Sequence, residues 1–115
     1  MSVIRLGHLS LKVMDLDAAI HHYADVIGLI LTERSETQAY LRGRDEQDHH
    51  CILLNKSESP GLDHIGFKVG REEDLSVAEK LITQAGAAAQ RISAGEEAGQ
   101  GEAIRFQLPS KQTIE

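Results

Sequence analysis

The sequence contains few of the residues that mark several large classes of protein. A single cysteine, Cys51, cannot form an internal disulfide bond, so a cytoplasmic location is the default expectation. Aromatic residues make up only 3% of the chain, which leaves little to stack on nucleic-acid bases. The chain has no apolar run of the ~18 residues that a membrane-spanning helix needs, and its N-terminus lacks the apolar segment of a signal peptide. We therefore expect neither a nucleic-acid partner nor a membrane-embedded protein.

The charge balance points the same way. The formal net charge is −6, and there is no basic run that would attract a phosphate backbone. The 115 residues are enough for one domain with its own core. Six histidines in a chain of this size are the one compositional hint of metal or proton chemistry.

A repeated segment organises the chain. Residues 6–13 read LGHLSLKV and residues 62–69 read LDHIGFKV, so each copy carries a histidine near its start and ends in Lys-Val. About half of the chain separates His8 from His64, which indicates two copies of one supersecondary unit.

Each half predicts the same order of elements: a strand, a helix and three further strands. Asp15 is a plausible helix N-cap, and Gly28 and Gly86 are natural helix stops. The KSESPG loop at 56–61 divides one domain, 1–115, into module one, about 4–56, and module two, about 61–115. The predicted strands are 6–13, 29–34, 38–42, 49–55, 62–69, 88–92, 103–108 and 112–115, and the predicted helices are 16–27 and 72–85.

Strand alternation places four chemically active side chains on the polar faces of the predicted strands: His8, His64, Arg105 and Glu115. If the two repeats pair, His8 and His64 approach each other, and Glu115 is the candidate third group. Two histidines and one carboxylate suit Fe(II) or Mn(II) with open coordination positions. The alternative is that these are ordinary polar residues that face a solvated groove.

The remaining candidate residues have simpler interpretations. His49 and His50 open a predicted strand and are interpreted as a surface pair, with a proton-transfer role as the alternative; one of the two must point inward. Cys51 is interpreted as a small core residue. The glycine-rich loop Ala94–Glu102 lacks Lys-Ser/Thr and does not open a helix, so it is not a phosphate-binding loop.

Two sets of segments resemble a known family. GHLSLKVMDLDAAIHHYADVIGL resembles the opening of vicinal oxygen chelate proteins, the superfamily of glyoxalase I, bleomycin-resistance proteins and extradiol dioxygenases. RGRDEQDHHCILLNKSESPGLDHIGFKV and ISAGEEAGQGEAIRFQLPSKQTIE resemble the N-terminal half of type I extradiol catechol dioxygenases. This resemblance implies an α+β fold, with two paired βαβββ modules that form a cup-shaped eight-stranded half-barrel with the helices outside.

The resemblance also implies a function. The parent enzyme would cleave the ring of a catechol-like aromatic substrate with Fe(II), or Mn(II), and dioxygen. In two-domain members the metal and the catalytic residues lie in the second domain, so this chain is expected to be an inactive N-terminal fragment with roles in packing and homo-oligomer formation.

Two positions depart from the family pattern. His64 stands where such N-terminal domains usually carry an apolar or aromatic residue, and with His8 and Glu115 it restores a metal-ligand set. Two alternatives therefore stay open: a stand-alone metal-binding protein, or a metal-free module that binds a small molecule. Lys111 stands where the turn normally has glycine, which affects the register expected for the last strand.

Overall fold

The computed structural model describes residues 2–96 and 98–115. Met1 and Glu97, the latter in the predicted loop Ala94–Glu102, lie outside the described residues. The strands are β1 Val3–Val13, β2 Ile30–Arg34, β3 Gln38–Arg42, β4 Ile52–Lys56, β5 Gly61–Val69, β6 Gln90–Ile92, β7 Ala103–Gln107 and β8 Thr113–Ile114. The helices are α1 Leu16–Ile20, which runs into a π-helical segment His21–Ile27, and α2 Glu73–Gln84.

Contacts divide the described chain into two compact units. The first unit comprises residues 8–63, and the second unit comprises residues 2–7 together with 64–115. The division falls inside β1, between Gly7 and His8, so the start of this strand belongs with the second half of the sequence. The predicted α+β class is confirmed, and each βαβββ set appears in the predicted order.

In the first unit, β3 pairs antiparallel with both β2 and β4, and β4 runs parallel to the second half of β1. The core of this unit lies between the sheet and α1, where Leu16, Ala39, Leu41 and Leu54 are buried together. Ala39 and Leu41 of β3 and Leu54 of β4 supply this apolar face, and the helix stripe covers it.

The predicted first helix begins and ends as its sequence indicates. The Asp15 side chain accepts a hydrogen bond from the backbone N–H of Ala18 at 3.0 Å, which caps the helix start. Gly28 ends the helix in the left-handed conformation, with φ of 100°. The structure differs from the prediction of one regular helix in its wider π-helical second part.

In the second unit, β5 runs parallel to β8, β8 pairs antiparallel with β7, and β7 pairs antiparallel with β6. The start of β1 lies against β5 in the same unit: a Cβ added at Gly7 would stand 3.3 Å from the backbone oxygen of Gly66. The backbone N–H of Gly70 also donates to the Ser2 oxygen at 3.1 Å. The absence of a side chain at Gly7 therefore allows this close backbone approach.

Several strands begin at residues other than those predicted from the sequence. β1 begins at Val3, and β4 begins at Ile52, three residues later than its predicted start. Lys111 takes a left-handed φ of 73° in the turn before β8, where the family pattern has glycine.

Among residues 2–96 and 98–115, no helix combines the length and the apolar character needed to cross a membrane.

Candidate functional site

His64 lies on β5 in the second unit and is almost completely buried, with 1% of its surface exposed. A buried imidazole requires polar partners because burial without hydrogen bonds is costly. Its Nε2 atom lies 3.6 Å from Oε2 of Glu115, within the range of an ion pair but longer than a good hydrogen bond.

Glu115 follows β8, and its backbone is fixed against β5. Its N–H donates to the Ile65 oxygen at 2.8 Å, and its oxygen accepts from the N–H of Phe67 at 2.8 Å. Its carboxylate is 2% exposed, so the negative charge needs a compensating partner inside the protein.

Arg105 on β7 supplies that partner. Because Phe106 pairs with Ile114 across the antiparallel strands, the next step in this register places Arg105 opposite Glu115. The Arg105 Nε and Nη2 atoms donate to Oε2 of Glu115 at 3.0 and 2.5 Å. The second carboxylate oxygen, Oε1, accepts a hydrogen bond from the Gln100 side-chain amide.

These contacts bear on whether Glu115 can hold a metal ion. His64 and Glu115 are chemically suited to Fe(II) or Mn(II), and such a ligand carboxylate must offer an oxygen lone pair to the cation. Here both oxygens of Glu115 already accept hydrogen bonds, and one faces a permanent guanidinium charge. The carboxylate as arranged is one half of an ion pair, and the positive charge of Arg105 opposes a second cation beside it.

His8, the histidine of the first repeat, begins the first unit. Its ring contacts the ring of His50 edge-on, with centroids 5.5 Å apart. His50 is 7% exposed and also contacts Tyr40, at 4.9 Å between ring centroids. Within their own units, His8 therefore has an aromatic environment, whereas His64 has a carboxylate beside it.

His49 and His50 form a hydrogen-bonded pair. Their Nδ1 atoms lie 3.0 Å apart, so one ring donates its proton to the other. The His49 Nε2 atom lies 3.4 Å from Oε1 of Glu33. The prediction that one of the two points inward is confirmed, and the interpretation as a surface pair is wrong for His50. The physical reason is that β4 starts after the pair, so the local turn and not strand alternation orients the rings.

Cys51 is half-buried. Burial raises the pKa of the Cys51 thiol, and the nearby negative charge of Glu46 and a hydrogen bond with its side chain act in the same direction. The thiol is thus held in its neutral, unreactive form at ordinary pH.

The sequence did not reveal the Arg105–Glu115 ion pair, although it placed both residues on polar strand faces. The usable signal was the short turn Pro109–Lys111 between two strands. Counting the antiparallel register outward from that turn places the arginine opposite the glutamate.

Comparison with known proteins agrees with this architecture. Residues 62–115 match the family described as "Catechol 2,3-dioxygenase-like N-terminal domain". A metapyrocatechase from Pseudomonas sp. strain CF600 is 38% identical over 109 residues, which cover 94% of this chain and 36% of the relative. A manganese-dependent 2,3-dihydroxybiphenyl 1,2-dioxygenase from Geobacillus genomosp. 3 is 32% identical over 108 residues, which cover 94% of this chain and 34% of the relative.

Solved structures show the same correspondence. The 2,3-dioxygenase LapB from Pseudomonas sp. KL28 superposes with a TM-score of 0.94 at 36% identity, over 99% of this chain and 40% of that one. An extradiol ring-cleaving dioxygenase from B. fuscum gives a TM-score of 0.93 at 31% identity, over 98% of this chain and 32% of that one. The chain spans about a third of the length of the two sequence relatives. By sequence and by fold, the chain is similar to one part of extradiol dioxygenases, and residues 62–115 match the model of their N-terminal domain.

Proposed function

We propose that this chain is the non-catalytic N-terminal domain of an enzyme that cleaves catechol-like rings next to the diol. The observation that carries the proposal is the match over 94% of the chain to only about a third of ring-cleaving dioxygenases. In the proposed reaction both atoms of dioxygen enter the substrate, one ring C–C bond breaks, the ring carbons are oxidised and dioxygen is reduced. The metal of the parent enzyme, Fe(II) or Mn(II), would bring the diol and dioxygen together when bound.

The proposed role of this domain is packing and assembly in a cytoplasmic homo-oligomer. Several apolar side chains of the second unit are exposed, which suits a surface that a further domain or a second copy covers. These residues are Val3, Ile4, Leu6, Phe67, Val77, Leu81 and Leu108.

The test is an oxygen-consumption and product assay with catechol and added Fe(II) or Mn(II). The 115-residue chain alone should produce no ring-cleavage product, whereas a longer chain with a second domain should consume dioxygen and catechol in equal amounts. Turnover by the short chain at enzymatic rates would overturn the non-catalytic role. A longer chain that leaves every catechol tested unchanged would overturn the substrate class.

A second candidate function is metal binding by this domain itself, through His8, His64 and Glu115. The buried approach of His64 to Glu115 favours this candidate, whereas the bonds from Arg105 to the same carboxylate oppose it. Metal analysis of the purified chain and of His64→Ala tests this candidate. A stoichiometric metal that the substitution removes would support it, and an equal, negligible content in both proteins would refute it.

A further inference from the structure

We propose that the guanidinium group of Arg105 pairs with the Glu115 carboxylate and thereby prevents divalent metal ions from binding to Glu115. The inference is independent of the activity of the longer enzyme, because it concerns only contacts inside the second unit. It names a residue that decides whether the histidine and carboxylate of this unit can act as metal ligands.

The first step of the argument is burial. Glu115 has a side chain that is 2% exposed, and His64 beside it is 1% exposed. A buried carboxylate without a counter-charge is strongly disfavoured, so the fold requires a cation at this position. Either a metal ion or a basic side chain can meet that requirement.

The second step is geometry. Two N–H groups of Arg105 converge on Oε2 of Glu115, and Gln100 donates to Oε1. Charge-assisted hydrogen bonds of this kind are short and strong. A metal ion that binds Glu115 would have to compete with these donors for the carboxylate oxygens.

The third step is the permanence of the charge. The guanidinium group stays protonated throughout the pH range in which proteins fold. It therefore repels an approaching divalent cation at every working pH. Arg105 is also fixed by the sheet, since its strand pairs with β8 in the register that ends at Glu115.

The experiment measures binding of Mn(II) alone to the 115-residue chain, by loss of the electron paramagnetic resonance signal of the free ion. Wild-type protein and Glu115→Gln should bind Mn(II) to the same extent, because Glu115 does not take part in any binding. Arg105→Met, which keeps the aliphatic bulk without the charge, should gain binding by about tenfold or more. Arg105→Met with Glu115→Gln should lose that gain.

Two control variants test whether the positive charge of residue 105 is responsible for the effect. Arg105→Lys keeps a positive charge at residue 105 and should show no gain in Mn(II) binding. Arg91→Met removes an arginine from an ion pair with Glu79 on the same unit and should leave Mn(II) binding unchanged. Binding by wild-type protein that Glu115→Gln abolishes would overturn the proposal, as would a folded Arg105→Met protein with no gain.

A second measurement covers the case in which Arg105→Met does not fold. In wild-type protein, the NMR signal of the Arg105 Nε–H group should be protected from exchange by its bond to Glu115. Addition of Mn(II) should leave this signal sharp, because the ion stays away. Selective paramagnetic broadening of the Arg105 signal would overturn the inference.

Discussion

The two units share one order of elements but stabilise their interiors in different ways. The first unit has an apolar cluster in which α1 buries Leu16 against Leu41 and Leu54. The second unit also buries Ile92, Ala103 and Ile104. It places a partly buried ion pair, Arg105–Glu115, beside a buried histidine, and along α2 no described residue is buried. One repeated sequence pattern therefore accommodates an apolar cluster against a helix in the first unit and an ion pair beside a buried histidine in the second.

The equivalent histidines illustrate the same difference. His8 contacts the buried ring of His50, whereas His64 lies beside a carboxylate that an arginine neutralises. Within its own unit, each histidine therefore meets a different neighbour. His50 precedes β4 and Glu115 follows β8, and each of these strands pairs parallel with the strand of its own histidine.

The largest expected effect compares a buried leucine of the first unit with an exposed leucine on α2 of the second unit. Leu41→Ala removes a fully buried side chain from the first unit and should lower the free energy of unfolding by about 3 kcal/mol. Leu81→Ala, on α2 and 49% exposed, is the control and should change stability by less than about 0.5 kcal/mol. Chemical denaturation measures both, and equal losses would contradict the contrast.

The next effect concerns the buried ion pair. Arg105→Ala leaves the buried Glu115 charge without its counter-ion and should cost about 2 kcal/mol, less than a fully buried pair because Arg105 is 30% exposed. Arg91→Ala breaks an exposed network with Glu79 and Glu102 and should cost less than Arg105→Ala. Thermal and urea unfolding measure both losses of stability. A loss for Arg105→Ala no larger than that for Arg91→Ala would contradict the importance of the Arg105–Glu115 pair.

A smaller effect separates the two helix starts. Asp15→Ala removes the side chain that caps α1 and should cost about 1 kcal/mol. Glu72 occupies the N-cap of α2 without a side-chain capping bond, so Glu72→Ala should cost less than about 0.5 kcal/mol. The measurement is the midpoint of denaturant unfolding at constant slope, and a larger loss for Glu72→Ala would refute this assignment.

The smallest effect is a pH dependence in the first unit. Because burial and Glu46 raise the pKa of Cys51, the folded state favours the neutral thiol. This contribution to stability is complete below the ordinary thiol pKa and is lost as the pH rises through the raised value. Alkylation of Cys51 in folded protein should therefore be slow near pH 9 and faster in Glu46→Gln, whereas equal rates in the two proteins would contradict the role of Glu46.

Much of the fold was predictable because local signals agreed with the tertiary structure. The Asp15 cap and the Gly28 stop each depend on neighbouring residues only. The alternation of residues 62–69 separated two faces but did not predict their burial, because His64 and Gly66 are buried whereas Phe67 is 46% exposed. The start of β4 was less predictable, because an apolar stretch does not show where pairing with another strand begins. The burial of His50 followed from that difference.

The sequence by itself determined the repeat, the α+β class and the presence of His64 and Glu115 on polar strand faces. Only the tertiary structure decided what these groups contact. The hydrogen bonds from Arg105 and Gln100 to Glu115 bring together residues 10 and 15 positions apart, through strand pairing and a loop. The physical reason is that periodicity specifies a face, whereas the charge that a buried carboxylate meets depends on the register of the neighbouring strand.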